Sequence, residues 1–186
     1  MSEQFELTNS MKQASESSAE WEQRLADLWA SIDNYDEGEF LARMEQLISE
    51  LPVDNAVALF EQAAAFDSTG HSDWAVPLYR QAIEQRLSGE RRRRAVIQLA
   101  SSLRNLGQAS ESVFLLQAER KTGSDHLDDA VTAFLALALV DVGHEREAVS
   151  LALSALSRHL PRYQRSLANY AQLLNEGASS ESNTAT

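Results

Sequence analysis

The chain has 186 residues, 44% of them hydrophobic, with no cysteine and a formal net charge of −12. This is enough material for one continuous core, and it excludes disulfide frameworks, zinc fingers and thiol catalysis. A net charge of this sign repels phosphate, which argues against a nucleic-acid partner.

The first sixteen residues are polar and aperiodic. They are expected to be disordered, and they lack the apolar centre of a signal peptide. Ser17-Ser18-Ala19-Glu20 has the form of a capping box. After it Trp21, Leu25, Leu28, Trp29 and Ile32 recur at a spacing that puts one apolar stripe on a helix. A turn at 34–38 leads to Phe40, Met44, Leu47, Ile48 and Leu51 at the same spacing, so residues 19–51 predict a helical hairpin closed by Pro52. Residues 1–50 hold 12 acids against 3 bases (Lys12, Arg24 and Arg43), a net of −9. That excess reads either as a solvated surface or as an arm for a basic partner, the chain's own basic cluster included.

A second hairpin is predicted over 54–87. Asp54 is its expected N-cap and Leu59, Ala63 and Phe66 its core face. Ser72 is expected to cap the second helix, which contains Pro77. Ser88-Gly89 is a turn. The third hairpin spans 90–121, with Val96, Leu99, Ala100, Leu103 and Leu106 on the buried side of its first helix. The fourth spans 126–159. Pro161 opens a capping helix over 161–175, with Tyr163, Leu167, Tyr170, Ala171 and Leu174 as its stripe. Residues 177–186, rich in Ser, Asn and Thr, are expected to be a disordered tail. No segment alternates strictly enough for a strand, so the fold class is all-α, about nine helices in one domain over 17–176. The longest aliphatic stretch, 133–142, is too short to span a bilayer, so no membrane partner and a cytoplasmic location are expected.

Gly70, Gly107 and Gly143 lie 37 and 36 residues apart, and matching residues accompany them. Seven positions before stand Ala63, Ala100 and Ala136; four before, Phe66, Leu103 and Leu139; five after, Ala75, Ser112 and Ala148. Large and small residues repeating at such a period mark a stack of helical hairpins, in which each hairpin buries its apolar face on its neighbours. With Leu59, Tyr79 and Ala82 in the first copy, Leu116 in the second and Ala155 in the third, the chain resembles the tetratricopeptide repeat family over roughly 55–160. The stretches Phe66–Gly70 and Leu103–Gly107 are similar to small stand-alone bacterial members of unsettled function. Three departures stand out: Glu119 where the family prefers alanine, Ala152 where an aromatic is usual, and a period longer than the usual 34. The resemblance implies a right-handed α-solenoid of antiparallel hairpins whose first helices line a concave groove. It also implies a module that binds a peptide or protein segment there, without catalytic residues, metal or cofactor.

By that resemblance Arg94, Gln98, Ser101, Arg104 and Asn105 face the groove from the third hairpin, Asp67 and Ser68 from the second, and Asp141 from the fourth. Ala130, Ala133, Leu137 and Val140 make the fourth hairpin's share mostly apolar. Arg104 with Asn105 suits a carboxylate or a backbone carbonyl; alternatively Arg104 pairs with Asp67 or Asp141 inside the protein. Arg91–Arg94 point all ways around a helix, and cations at a helix start oppose its dipole. They call for partners such as Asp54, Glu61, Glu84 or the acidic first hairpin. Trp74, beside a turn, is a candidate exposed anchor. The histidines (His71, His126, His144 and His159) have no metal-ligand spacing. Two other readings stay open: a self-associating scaffold, a homodimer in the simplest case, in which the acidic hairpin meets the arginine run of another copy, and a helical protein that binds a small anion.

Overall fold

The computed structural model describes residues 18–181, with side chains as far as Asn175. Among them are nine helices and no strand. They are α1 (18–30), α2 (Glu37–Ile48), α3 (Ala56–Ser68), α4 (Ser72–Glu84), α5 (Gly89–Asn105), α6 (Ala109–Glu119), α7 (Asp128–Asp141), α8 (Glu145–Ser157) and α9 (Gln164–Glu181), with a short 3₁₀ turn at Ile32–Asn34. None is long and apolar enough to cross a membrane. Ser17, and with it the expected capping box, lies outside the described residues, as do the first sixteen.

Local chemistry sets the helix ends. Asn55, not Asp54, caps α3: its side-chain oxygen accepts from the amides of Val57 (2.9 Å) and Ala58 (3.2 Å). Asp54 instead takes the left-handed backbone of the preceding turn, with φ 59°. Ser72 is not a cap either. It is the first residue of α4, and its hydroxyl turns back to Asp67 (3.2 Å). At the three repeat glycines φ is 91°, 77° and 81°. In each turn the residue after the glycine donates to the carbonyl of Phe66, Leu103 or Leu139, at 2.9, 2.8 and 2.9 Å. This is the same doubly bonded helix ending three times over, and it needs a left-handed residue at one place. A Cβ would meet nothing there within 4 Å, so it is the backbone, not space, that demands glycine.

Small residues let each hairpin close. Ala63, Ala100 and Ala136 are buried, as are Ala75, Ser112 and Ala148 across from them. Ala63 and Ala75 share one core with Tyr79, Leu99 and Leu103. Ala100, Ala136 and Ala148 share the next with Leu116 and Leu135. Trp21, Leu25, Phe40, Met44 and Leu47 form a third, which reaches Ala65 of α3. Within the second hairpin Phe60 and Tyr79 are the fully buried aromatics, whereas Leu59 and Phe66 are partly covered. Leu106, expected in the core, is 40% exposed, because the helix ends at Asn105 and Leu106 sits in the turn.

Consecutive helices pack in order from α2 to α9. In addition α3 packs on α5 and α5 on α7, whereas the second helices make no comparable contact with one another. Neighbours approach more closely on the inside of a curved row, so the first helices form the concave side. The last element departs from expectation. Pro161 lies in the connection, Tyr163 takes a left-handed φ of 68°, and α9 starts at Gln164. Its backbone continues helical to Glu181, through residues expected in the tail. Leu167, Ala171 and Leu174 turn inward, and the Ser150 hydroxyl donates to the Ala171 carbonyl (2.6 Å). Tyr163 and Tyr170, placed in the inward stripe by their spacing, are exposed.

Candidate functional site

The arginine run at the start of α5 is engaged within the chain, although the buried Arg93 Nε makes no hydrogen bond. The Arg91 guanidinium bonds both oxygens of Glu22 in α1 (2.9 and 2.5 Å) and Glu61 of α3 (2.9 Å). Glu61 is 2% exposed and also accepts from the Trp29 indole (2.9 Å). Arg92 pairs with Glu119 of α6. Arg93, 7% exposed, reaches Asp125 (2.6 Å) and Asp128 (2.7 Å) at the start of α7, with Glu119 at 3.7 Å. Arg94 lies over the Phe60 ring of α3 at 5.3 Å. Because four consecutive helical residues point in four directions, one run ties α5 to α1, α3, α6 and α7. Asp54 and Glu84 take no part in it. Glu119, the departure from the family pattern, is the buried carboxylate this arrangement requires. The Ser124 hydroxyl, the Asp125 amide and Arg93 together hold the Asp128 carboxyl down at about 2.

The polar residues of the concave face are also largely paired. Asp67 accepts from Ser102 of α5 (2.7 Å) and from Ser72 (3.2 Å). The Asn105 amide donates to the Ser72 hydroxyl (3.5 Å). Arg104 forms an ion pair with Asp141 of α7, Nε to Oδ2 2.5 Å. The alternative in which Arg104 is answered inside the protein is therefore the one realised, through Asp141 and not Asp67. Arg104 and Asn105 do not form a vacant anion clamp. Ser68 is exposed at the end of α3. Gln98 and Ser101 remain half-buried on the face, and the Gln98 side-chain oxygen accepts no hydrogen bond. On α7, the next first helix, Ala133 is exposed and Leu137 and Val140 are each 47% exposed. Trp74, 51% exposed, stacks on His71 (4.4 Å, 10°) and meets the edge of Phe66 at 5.3 Å. His71 in turn contacts Glu37 of α2 (2.6 Å).

Glu61 and the acidic first hairpin were expected partners of the run and are found there, but spacing alone did not reveal the buried pair of Glu119 with Arg93. The available signal was the phase of the run: on a helix whose core residues are Val96, Leu99 and Leu103, at least one of four neighbouring arginines must point inward.

A family profile described as Tetratrico peptide repeat matches residues 56–174, well over half of the chain. The chain belongs to this family. Two solved structures of nearly identical tetratricopeptide-like repeats from a putative kinesin light chain of Podosopora anserina share its fold. One has a TM-score of 0.63 at 21% identity, with 87% of this chain and 90% of that chain covered. The other, a single-substitution form of the same repeats, has 0.62 at 20% identity, with 87% and 89% covered. No curated protein matches the chain. The tetratricopeptide repeats account for α3 onward, and α1 and α2 precede the matched region.

Proposed function

We propose that this tetratricopeptide repeat protein is an interaction module that holds a segment of a partner protein against the concave face of α3, α5 and α7. The observation that carries this reading is the pairing of unlike surfaces there. Half-buried Gln98 and Ser101 on α5 are followed, one first helix on, by exposed Ala133, Leu137 and Val140 on α7. Amide and hydroxyl groups answer a partner's backbone, and aliphatic surface answers its side chains. The charged groups of the face, Arg94, Arg104, Asp67 and Asp141, position its walls rather than wait for a ligand. Trp74 is a second contact point at the start of α4. No catalytic role is assigned to any residue.

The other two readings lose their contacts. The acidic hairpin already meets the arginine run in its own chain through Glu22 and Arg91, and the groups proposed for a small anion are engaged. Capture from native lysate by the wild type, Ser101→Glu and Leu137→Glu, all with equal helicity, tests the proposal. The expected result is a protein retained by the wild type and lost by both variants. Equal retention by all three refutes it.

A further inference from the structure

The repeat pattern breaks at one contact. Positions 60, 97 and 133 correspond across the first helices, as do 64, 101 and 137, and 67, 104 and 140, at steps of 37 and then 36. In α3 and α5 the first and last of these positions meet the next first helix. Phe60 packs in one core with Ala95, Leu99 and Leu103 of α5, and Ile97 in another with Val131 and Leu135 of α7. Asp67 bonds Ser102, and Arg104 bonds Asp141. In α7 the same positions are Ala133, Leu137 and Val140, and all three are open. The receiving side is open as well. Counting from Ala63, Ala100, Ala136 and Ala171, the positions of Leu99 and Leu135 become Tyr170 in α9, and those of Ser102 and Ala138 become Leu173. The earlier members are at most 3% exposed, whereas Tyr170 is 67% and Leu173 58% exposed. Consistent with this, α9 packs on α8 but makes no contact with α7 comparable to those of α5 with α3 and α7.

We infer that the gap between α7 and α9 is a docking cleft for an apolar helix with carboxylates at one end. The missing contact is helix against helix, so a helix restores it. Charge selects the acidic kind. Residues 148–175 contain no Asp or Glu but hold Arg158, Arg162 and Arg165, in a chain of net charge −12. Arg158 is held by Asp129. Arg162 and Arg165 make no ion pair among the described residues, and they line a cavity of about 470 Å³ with Tyr163 and Asn169 at the start of α9. The inference rests on the concave face being the binding surface, and it names that surface's end and the chemistry it takes.

The probe is a fluorescein-labelled peptide copying residues 124–142, which has three acids near its start (Asp125, Asp128 and Asp129) ahead of its aliphatic stretch. Its control carries Asp125→Lys, Asp128→Lys and Asp129→Lys. Fluorescence anisotropy against the full chain is expected to give saturable binding of the acidic peptide, at least about tenfold tighter than the control. Leu173→Glu and the pair Arg162→Glu, Arg165→Glu should each weaken it by about the same factor, with helicity unchanged. No saturation by about 1 mM, or equal binding of the two peptides, overturns the inference. Loss in Ser101→Glu but not in Leu173→Glu overturns it too and leaves the broader groove reading standing. Loss in Leu173→Glu but not in Ser101→Glu supports the cleft and narrows the groove to its far end. Dimerisation of the wild type in sedimentation, abolished by Leu173→Glu, assigns the cleft to a second copy and overturns it as well.

Discussion

Glu119 shows how one side chain departs from a family pattern for a physical reason. A buried carboxylate is costly unless it is paired, and here it faces Arg92 and the nearly inaccessible Arg93. Glu119→Ala therefore restores the residue the family prefers while leaving two guanidiniums short of a partner. We expect it to destabilise the fold by about 3 kcal/mol in urea denaturation. A neutral or stabilising result would mean that Asp125 and Asp128 suffice for Arg93 and that Arg92 needs no partner.

At the scale of elements, the helix ends are where sequence and structure part most often. Three glycine turns were legible because only one residue type serves a left-handed ending cheaply. The start of α3 was not, because Asp54 and Asn55 are both good caps, and the choice depended on which of the two took the left-handed turn. Asn55→Ala is expected to cost about 1 kcal/mol in chemical denaturation, whereas Asp54→Ala removes no cap. The last helix was misplaced for a related reason. Pro161 suits a first turn, but the left-handed Tyr163 delays the helix to Gln164 and stays outside it, while Tyr170 falls at the edge of the Leu167–Ala171–Leu174 stripe. The candidate site was legible in location more than in chemistry. Spacing put Asp67, Arg104 and Asp141 on successive first helices, but it left open that Arg104 is answered by the helix one step on.

For the whole molecule, stability is carried between neighbours. Each hairpin covers the next, and α9 covers α8 through Leu167, Ala171 and Leu174. Removing 161–186 uncovers that face and leaves the Ser150 hydroxyl without its acceptor. The truncated chain should melt at a lower temperature and lose solubility, measured by thermal scanning and by sedimentation after concentration; an unchanged melting point would show that α8 needs no cover. Arg91 works at the same scale from the other end, since it is bonded to α1 and α3 at once.

The three indoles of this chain, Trp21, Trp29 and Trp74, all lie in its front half, and Trp29 reports directly on the Glu61–Arg91 junction. Tyr163 and Tyr170 stand alone at the rear. Intrinsic emission excited at the red edge is therefore blind to α6 through α9. An optical melting curve records the loosening of the leading hairpins, while the circular-dichroism signal averages over the whole row. The distance between those two curves would measure how far an array of coupled units departs from all-or-none unfolding.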